Sequence, residues 1–246
     1  MTFAEAGADG GGATGPAAST SAKNVGQVSR VVSPNDEMLR ADDHDLERYL
    51  RNGRQAVEVV SRFVEAPRSI LDFGCGHGRV LRFIVAAFPQ AEIWACDINA
   101  DGVSFCQKEF GVNGIVSSPY ASETVLPRFD LIWVGSVFTH LPLGPWREFL
   151  GLLARSLDGT LAFSVSGPLL AERLRGGESM GVPEDAILAD YDTTGFGHHP
   201  YRVAPHGYGL TLITPARVKA EAEAVGLSVV EHLPQGWMRQ DMVIAR

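Results

Sequence analysis

The segment that most constrains this chain is residues 70–80, which read ILDFGCGHGRV. A short apolar run enters three alternate glycines, Gly74, Gly76 and Gly78, and an apolar pattern of helical spacing follows them. Alternate glycines let the main chain pass close to a ligand, where any Cβ would collide. The helix start beyond them offers free N–H groups and a partial positive charge. The segment therefore predicts a strand, a tight loop and a helix that together bind a cofactor.

Strand and helix patterns alternate along most of the remaining chain. Apolar runs of strand length lie at 69–73, 92–96, 114–116, 129–134 and 160–165, and helical patterns at 80–87, 102–110 and 145–157. This alternation predicts an α/β fold with a parallel sheet that is covered on both faces. The end differs, because two strand patterns at 227–232 and 241–245 are joined by a short loop and must run antiparallel. Before them, Thr214-Pro215 predicts the start of a helix.

The chain has 246 residues, enough for one sizeable α/β domain over residues 36–246. Residues 1–35 are rich in Gly, Ala, Ser and Thr, which predicts a mobile tail. N-terminal helices are expected over about 36–66, in two pieces that are joined at Asn52-Gly53. Residues of about 168–213 show little pattern beyond a short helix near 169–174, which predicts a lid or substrate wall.

Composition narrows the function classes. The formal net charge of −8 argues against a nucleic-acid partner and against a polybasic membrane anchor. No apolar run approaches the roughly 18 residues of a membrane span, and the N-terminus does not resemble a secretory signal. The chain has three cysteines, which is an odd number, and their spacing matches no zinc-binding motif. This cysteine usage favours a reducing compartment. We therefore expect a soluble, cytoplasmic protein, and composition leaves its oligomeric state open.

Two cofactor classes use a glycine loop after the first strand. A dinucleotide site favours G-x-G-x-x-G, but Arg79 stands where its third glycine would be. Asp97 ends the second strand pattern, and a carboxylate there can accept hydrogen bonds from both hydroxyls of a ribose. NAD enzymes share this acid, so Arg79 is the residue that disfavours the dinucleotide.

The G-x-G-x-G form, Asp97 and the segment at 129–142 together resemble class I S-adenosylmethionine-dependent methyltransferases. The resemblance covers about residues 45–246. It implies a Rossmann-like, doubly wound, mostly parallel seven-stranded sheet with an antiparallel final strand. It also implies that S-adenosyl-L-methionine is bound by Asp72, Gly74, Gly76, Gly78, Asp97, Ile98 and Ser118. Ser118 lies where such families often place an acid for the adenine amino group, and residues 236–242 resemble methyltransferases of bacterial surface-glycan gene clusters.

Transfer from the sulfonium is an in-line displacement in which positioning carries much of the catalysis. A hydroxyl acceptor must also lose its proton, which favours a base with a pKa near neutrality, such as histidine. His140, just beyond the fourth strand, is the first candidate for this base. The competing or acceptor-binding candidates all lie in the predicted lid: His198, His199, His206, Tyr201 and Tyr208.

The sequence thus predicts an O-methyltransferase for a hydroxyl of a small-molecule or saccharide acceptor. An NAD-dependent oxidoreductase and a non-catalytic cofactor-binding or regulatory module stay open as alternatives. A metal-assisted reaction through Asp190, Asp192, His198 and His199 is a further alternative, but their spacing matches no metal motif and no metal is predicted. The segment after the fourth strand also lacks the Asn/Asp-Pro-Pro-Tyr/Phe pattern of enzymes that methylate the amino groups of bases.

Overall fold

The structure, a computed structural model, describes residues 28–41 and 44–246. Its strands in chain order are β1 (Ser69–Phe73), β2 (Glu92–Asp97), β3 (Asn113–Val116), β4 (Phe129–Val134), β5 (Leu157–Val165), β6 (Phe196–Pro200), β7 (Gly209–Ile213), β8 (Val229–Trp237) and β9 (Gln240–Ala245). Its helices are α1 (Glu37–Ala41), α2 (Leu46–Val60), α3 (Leu81–Ala87), α4 (Ala100–Phe110), α5 (Leu143–Arg155), α6 (Pro168–Arg175), α7 (Glu184–Thr194) and α8 (Pro215–Ala224).

Seven strands form one sheet in the order β3-β2-β1-β4-β5-β9-β8. The strands from β1 to β5 pair in parallel, whereas β9 runs antiparallel to both β5 and β8. The strand order reverses between β1 and β4, the point at which open α/β sheets bind ligands, and we call the region at the carboxyl ends of these strands the crevice. The predicted fold class, a Rossmann-like, mostly parallel seven-stranded sheet with an antiparallel final strand, is confirmed.

Apolar layers bury both faces of this sheet. Neighbouring residues of a strand alternate between them: Ile70 packs with the residues of α2 and α3, and Leu71 packs with those of α5. The same alternation continues on β4, where Leu131 and Ile132 belong to opposite layers. Strands buried on both faces read as continuous apolar runs, which is why the sequence revealed them.

The N-terminal helix contradicts the prediction of two pieces, because α2 runs unbroken from Leu46 to Val60. Gly53 is buried within it, and a Cβ there would lie 2.1 Å from the carbonyl oxygen of Arg79 and 2.8 Å from the ring of Phe83. The glycine therefore serves close packing of α2 against the segment that follows the glycine loop, and it does not break the helix.

Most of the predicted tail, residues 1–27, lies outside the described residues. Residues 28–35, which the sequence also assigned to the tail, pack against the domain. Arg82, which is 1% exposed, donates hydrogen bonds of 2.9 Å to the carbonyl oxygens of Ser29 and Val31. A buried guanidinium needs such acceptors, so the packed chain extends before Asp36.

The short helix predicted near 169–174 is confirmed as α6, but the prediction of little other regular structure over 168–213 is wrong. These residues form α6, α7 and an antiparallel hairpin of β6 and β7. They bury an apolar cluster of their own that includes Leu170, Ile187 and Leu212. The sequence did not predict the hairpin because β6 reads Phe-Gly-His-His-Pro, which lacks the apolar alternation of a half-buried strand. We call residues 168–213 the lid, and residues 201–208 between its strands the hairpin tip.

Candidate active site

The glycine loop between β1 and α3 is shaped by left-handed backbone. Gly74, Gly76 and Gly78 have φ angles of 81°, 51° and 81°. A Cβ on Gly74 would lie 2.4 Å from Cγ2 of Val137, and one on Gly78 would lie 2.4 Å from the ring of Phe110. A Cβ on Gly76 would instead meet no atom of the described chain within 4 Å. The outer glycines therefore permit packing, and Gly76 leaves backbone surface open to a ligand.

Asp97, at the end of β2, holds this loop in place. Its carboxylate accepts hydrogen bonds from the N–H groups of Gly76 at 2.7 Å and Asn99 at 2.8 Å. Gly102 in the first turn of α4 lets that helix approach, since a Cβ there would lie 2.4 Å from the carbonyl oxygen of Gly76. Ile98, next to the carboxylate, is 53% exposed. The fixed carboxylate of Asp97 and the apolar side chain of Ile98 thus lie beside Gly76.

Asp72 is a buried acid without a complete set of partners. Its residue is 1% exposed, and Oδ2 has no hydrogen-bond partner within residues 28–41 and 44–246. Burial raises the pKa of this carboxyl to about 8, Asp97 adds to the rise, and Arg79 opposes it. The Arg79 guanidinium lies 5.5 Å from the ring of Trp237. A buried acid that lacks a hydrogen-bond partner, next to an open glycine loop, is a mark of a binding site.

His140 lies on the other side of the crevice, in the segment after β4. Its Nδ1 is 2.7 Å from the carbonyl oxygen of Gly209, which can only accept, so Nδ1 carries the proton and Nε2 keeps its lone pair. The ring of Tyr208 stacks on the imidazole at 4.5 Å, and the Tyr201 hydroxyl lies 3.4 Å from Nδ1. Burial lowers the pKa of His140, and nearby His198 lowers it further. A lowered pKa favours the neutral ring, which is the form that a general base requires.

The hairpin tip brings this cluster to the same crevice as Asp97. Burial raises the pKa of the Tyr208 phenol, and the charges of Asp97 and Glu37 contribute to the rise, which places those carboxylates near it. At the far end of the tip, His206 packs edge-on against Tyr120 at 5.8 Å. The tip therefore spans from the segment after β3 to the segment after β4.

Three of the lid residues that the sequence singled out do not join the cluster in the expected way. Both ring nitrogens of His198 bond to protein atoms, Thr211 Oγ1 at 3.0 Å and the Gly207 carbonyl at 2.9 Å. His199 follows on the opposite face of β6 and bonds to the Pro200 carbonyl. His206 contacts Tyr120, as described above. Tyr201 and Tyr208 are the predicted acceptor-binding residues that the fold brings to His140.

Ser118 uses its hydroxyl within its own turn. Its Oγ donates to Glu123 at 2.6 Å and accepts from the N–H of Tyr120 at 3.1 Å. The side chains of the metal-assisted alternative also fail to converge, since Asp192 pairs with Arg175 and His198 is bonded as described above. No group of three or more potential ligand side chains in the described parts of the chain could hold a metal ion.

One pair near the crevice was missed by sequence reasoning. Ser136, two residues beyond β4, has a φ of 60°, and its hydroxyl lies 3.0 Å from Nε2 of Gln240 at the start of β9. The N–H of Ser136 donates to the buried hydroxyl of Ser164 at 2.8 Å. A left-handed, non-glycine backbone at a crevice is typical of a functional segment. The resemblance at residues 236–242 includes Gln240, but nothing in the sequence indicates that Ser136 would contact it.

A sheet in this order, with a glycine loop after β1 and an acid after β2, defines the class I methyltransferase fold. Residues 71–159 match the family model described as a methyltransferase domain. Residues 71–159 are therefore a methyltransferase domain, and the fold around them is that of class I S-adenosylmethionine-dependent methyltransferases. No helix within residues 28–41 and 44–246 has the length and apolar character needed to cross a membrane.

Several characterised methyltransferases are similar in sequence. The malonyl-[acyl-carrier protein] O-methyltransferase of Legionella pneumophila is 28% identical over 151 residues, which cover 54% of this chain and 51% of that protein. A trans-aconitate 2-methyltransferase of Rhodopseudomonas palustris is 28% identical over 105 residues, 41% of each chain. The ribosomal RNA small subunit methyltransferase C of Shewanella loihica is 37% identical over 54 residues, 22% of this chain and 16% of that protein. The chain therefore spans about half or less of the length of these relatives.

Solved structures extend the likeness of the fold. The 1,6-didemethyltoxoflavin-N1-methyltransferase of Burkholderia thailandensis aligns with a TM-score of 0.58 at 14% identity, over 85% of this chain and 84% of that chain. An S-adenosylmethionine-dependent methyltransferase of Clostridium acetobutylicum aligns with a TM-score of 0.58 at 11% identity, over 85% and 97%. At such identities the likeness concerns the fold alone.

Proposed function

We propose that this protein transfers the methyl group of S-adenosyl-L-methionine to a hydroxyl of a small-molecule or saccharide acceptor, with His140 as the general base. The observation that carries the proposal is the half-buried His140 imidazole, whose pKa is lowered and whose Nδ1–H is bound by the Gly209 carbonyl, which leaves Nε2 to take a proton. It stands across the crevice from the glycine loop, beneath the tyrosines of the hairpin tip.

The residues of the crevice fit the cofactor. Asp97 has lone pairs for the ribose hydroxyls, and exposed Ile98 offers an apolar surface for the adenine. The orphaned oxygen of Asp72 suits the ammonium group of the methionine part, and the open backbone at Gly76 admits close approach. When bound, the cofactor supplies a methyl group already activated by its sulfonium. The chain then has to bind, orient and deprotonate the acceptor.

His140 performs the proton step in this proposal. Nε2 takes the proton of the acceptor hydroxyl, and the bond from Nδ1 to Gly209 holds the ring in the correct tautomer and stabilises the imidazolium that forms. The stacked Tyr208 fixes the plane of the ring, and the lid excludes water. Aromatic faces such as those of Tyr201 and Tyr208 also suit the apolar face of a sugar.

A small-molecule acceptor agrees with the charge of the chain and with the similar trans-aconitate 2-methyltransferase. The net charge of −8 disfavours a polyanion, and the match to the ribosomal RNA enzyme extends over 54 residues, whereas that to the malonyl-carrier enzyme extends over 151. Nucleic acid is therefore not proposed as the acceptor, and residues 168–213 are proposed as its lid and wall.

Two measurements test the proposal in order. Calorimetry with S-adenosylhomocysteine should show binding to the folded protein, and its absence would rule the proposal out. Radiolabelled S-adenosylmethionine incubated with fractionated cell extract should then label a small or saccharide fraction in an alkali-stable ether linkage. Label in an alkali-labile ester would replace the hydroxyl by a carboxylate acceptor, and label in RNA would overturn the acceptor class. Binding without any transfer would favour the non-catalytic module.

A further inference from the structure

His198 has an oxygen atom opposite each of its two ring nitrogens. Nε2 lies 2.9 Å from the carbonyl oxygen of Gly207 in the hairpin tip, and Nδ1 lies 3.0 Å from Oγ1 of Thr211 on β7. The same Thr211 oxygen lies 2.8 Å from the carbonyl oxygen of Leu141, the residue after His140. His198 and Thr211 thus link the tip, β7 and the segment that carries the proposed base.

Counting protons along this chain of contacts decides the charge of the ring. The carbonyls of Gly207 and Leu141 can only accept, so Nε2 must donate to the first and the single Thr211 hydroxyl hydrogen must go to the second. The Thr211 oxygen then presents lone pairs to Nδ1, which must also donate. A ring that donates from both nitrogens is an imidazolium. All three contacts are satisfied together when His198 carries its second proton.

We propose that His198 is a positioning residue whose second proton ties the hairpin tip and β7 to the segment at 139–142. Loss of that proton from Nδ1 lets the Thr211 hydroxyl turn toward Nδ1 and breaks its hydrogen bond to the Leu141 carbonyl, whereas loss from Nε2 breaks the bond to the Gly207 carbonyl. Two backbone bonds, from Gly209 N–H to His140 and from Thr211 N–H to Thr139, remain at 2.9 Å each. The lid then stays attached by fewer bonds. The catalytic consequence, the placement of Tyr208 against His140, rests on the proposed function.

The surroundings of His198 set the direction of its pH dependence. Burial lowers its pKa below the ordinary value, the Gly207 carbonyl raises it, and His199 lowers it; His198 in turn lowers the pKa of His140. The hairpin tip also carries Arg202 and His206. Helix α7 carries four acidic residues, Glu184, Asp185, Asp190 and Asp192. None of these groups contributes to the shift in the pKa of His198. β7 contributes no charged side chain. The hydrogen bond that depends on the second proton of His198 is therefore present at acid pH and is lost as the pH rises through the lowered pKa of His198.

The experiment compares His198→Gln with the matched control His199→Gln, which changes the adjacent residue on the opposite face of β6. Amide hydrogen exchange at Gly209 and Thr211 is measured from about pH 5 to pH 8, corrected for intrinsic exchange. In the wild type and in His199→Gln, protection should fall roughly fivefold over this range, the equivalent of one net hydrogen bond. The glutamine side chain of His198→Gln does not titrate. In this variant the corrected protection of the Gly209 and Thr211 backbone amides should therefore not change with pH.

Nitrogen NMR of the His198 ring in the unaltered protein gives a second measurement that does not depend on a variant folding. Both nitrogens should be protonated at the acid end of the range while the Gly209 amide is most protected. A ring that keeps one bare nitrogen at the acid end, or a pH dependence that persists in His198→Gln, would overturn the proposal. Neither measurement uses cofactor or acceptor, so failure here leaves the proposed methyl transfer untouched.

Discussion

The two sides of the crevice are built in different ways. The proposed cofactor side comes from one contiguous stretch, residues 72–102, and is held by backbone: left-handed glycines and main-chain N–H groups bound to one carboxylate. The proposed acceptor side assembles His140 with Tyr201 and Tyr208, which lie more than sixty residues further along the chain. The difference teaches that a binding surface made of backbone is encoded locally, whereas one made of side chains from distant segments depends on the whole fold.

The contrast predicts separable defects. Changes on the cofactor side should lower the affinity for S-adenosylhomocysteine, because they alter the loop or its carboxylate. Changes on the acceptor side should lower turnover at saturating cofactor and leave that affinity unchanged. A variant that damages both equally would show that the two sides act as one unit.

The largest effect is expected from His140→Ala. Loss of the base should lower the turnover number roughly 10²–10⁴-fold, while calorimetry with S-adenosylhomocysteine finds the affinity within about twofold of wild type. The control is His199→Ala, a lid histidine that the fold directs away from the cluster. Turnover that survives in His140→Ala would remove this residue from the mechanism. The stacking of Tyr208 on His140 would then be a purely structural contact.

Asp97→Ala should produce the next largest effect, now on affinity. It removes the carboxylate that binds Gly76 and Asn99, and with it the expected ribose contact, so affinity for S-adenosylhomocysteine should fall roughly 10- to 100-fold. Asp158→Ala serves as the control because that carboxylate pairs with Arg128 at the surface. An unchanged dissociation constant would contradict the assignment of the cofactor side.

A pair of glycines separates backbone strain from ligand contact. Gly76 and Gly111 have φ angles of 51° and 66°, and a Cβ on either would meet no described atom within 4 Å. Each alanine variant should therefore lose about 1–2 kcal/mol of unfolding free energy through strain alone. Only Gly76→Ala should also weaken S-adenosylhomocysteine binding, by about tenfold or more. Equal affinities in the two variants would mean that the cofactor does not approach Gly76.

The smallest effect concerns stability and pH. Asp72 has a pKa raised to about 8 in the folded chain, so folding holds its proton more tightly than the unfolded chain does. This stability is present below the ordinary carboxyl pKa and is lost as pH rises toward 8. Relative to wild type, Asp72→Asn should therefore gain unfolding free energy progressively as the pH rises from about 4 to 8 and gain nothing near pH 4, as measured by urea unfolding. A pH-independent difference would show that Asp72 is already ionised.

Much of the sheet could be predicted because its strands are buried on both faces. The run at 129–134 coincides with β4, and the pattern at 92–96 ends one residue short of β2. The final antiparallel pair also followed from its short connection. The predicted break in the N-terminal helix was wrong because a glycine has two physical roles. Gly53 has a low helix propensity, yet α2 retains it because the Arg79 backbone lies where a Cβ would be.

The site divides in the same manner. Glycine spacing and a strand-ending acid are local signals, so Gly74, Gly76, Gly78 and Asp97 were singled out with the correct neighbours. Among the lid histidines no local signal distinguishes His198 from His199. The pleat of β6 decides which of them turns toward Thr211, and that pleat is invisible until the pairing with β7 is known.

By itself the sequence determined the class of fold and the backbone of the cofactor side, since glycine conformation and apolar burial act over a few residues. The tertiary structure alone decided that His140 would have a lowered pKa, stack on Tyr208 and bond to Gly209. It also decided that both nitrogens of His198 would face oxygens. Burial, tautomer and charge depend on atoms that other segments contribute, and only the folded chain brings those segments together.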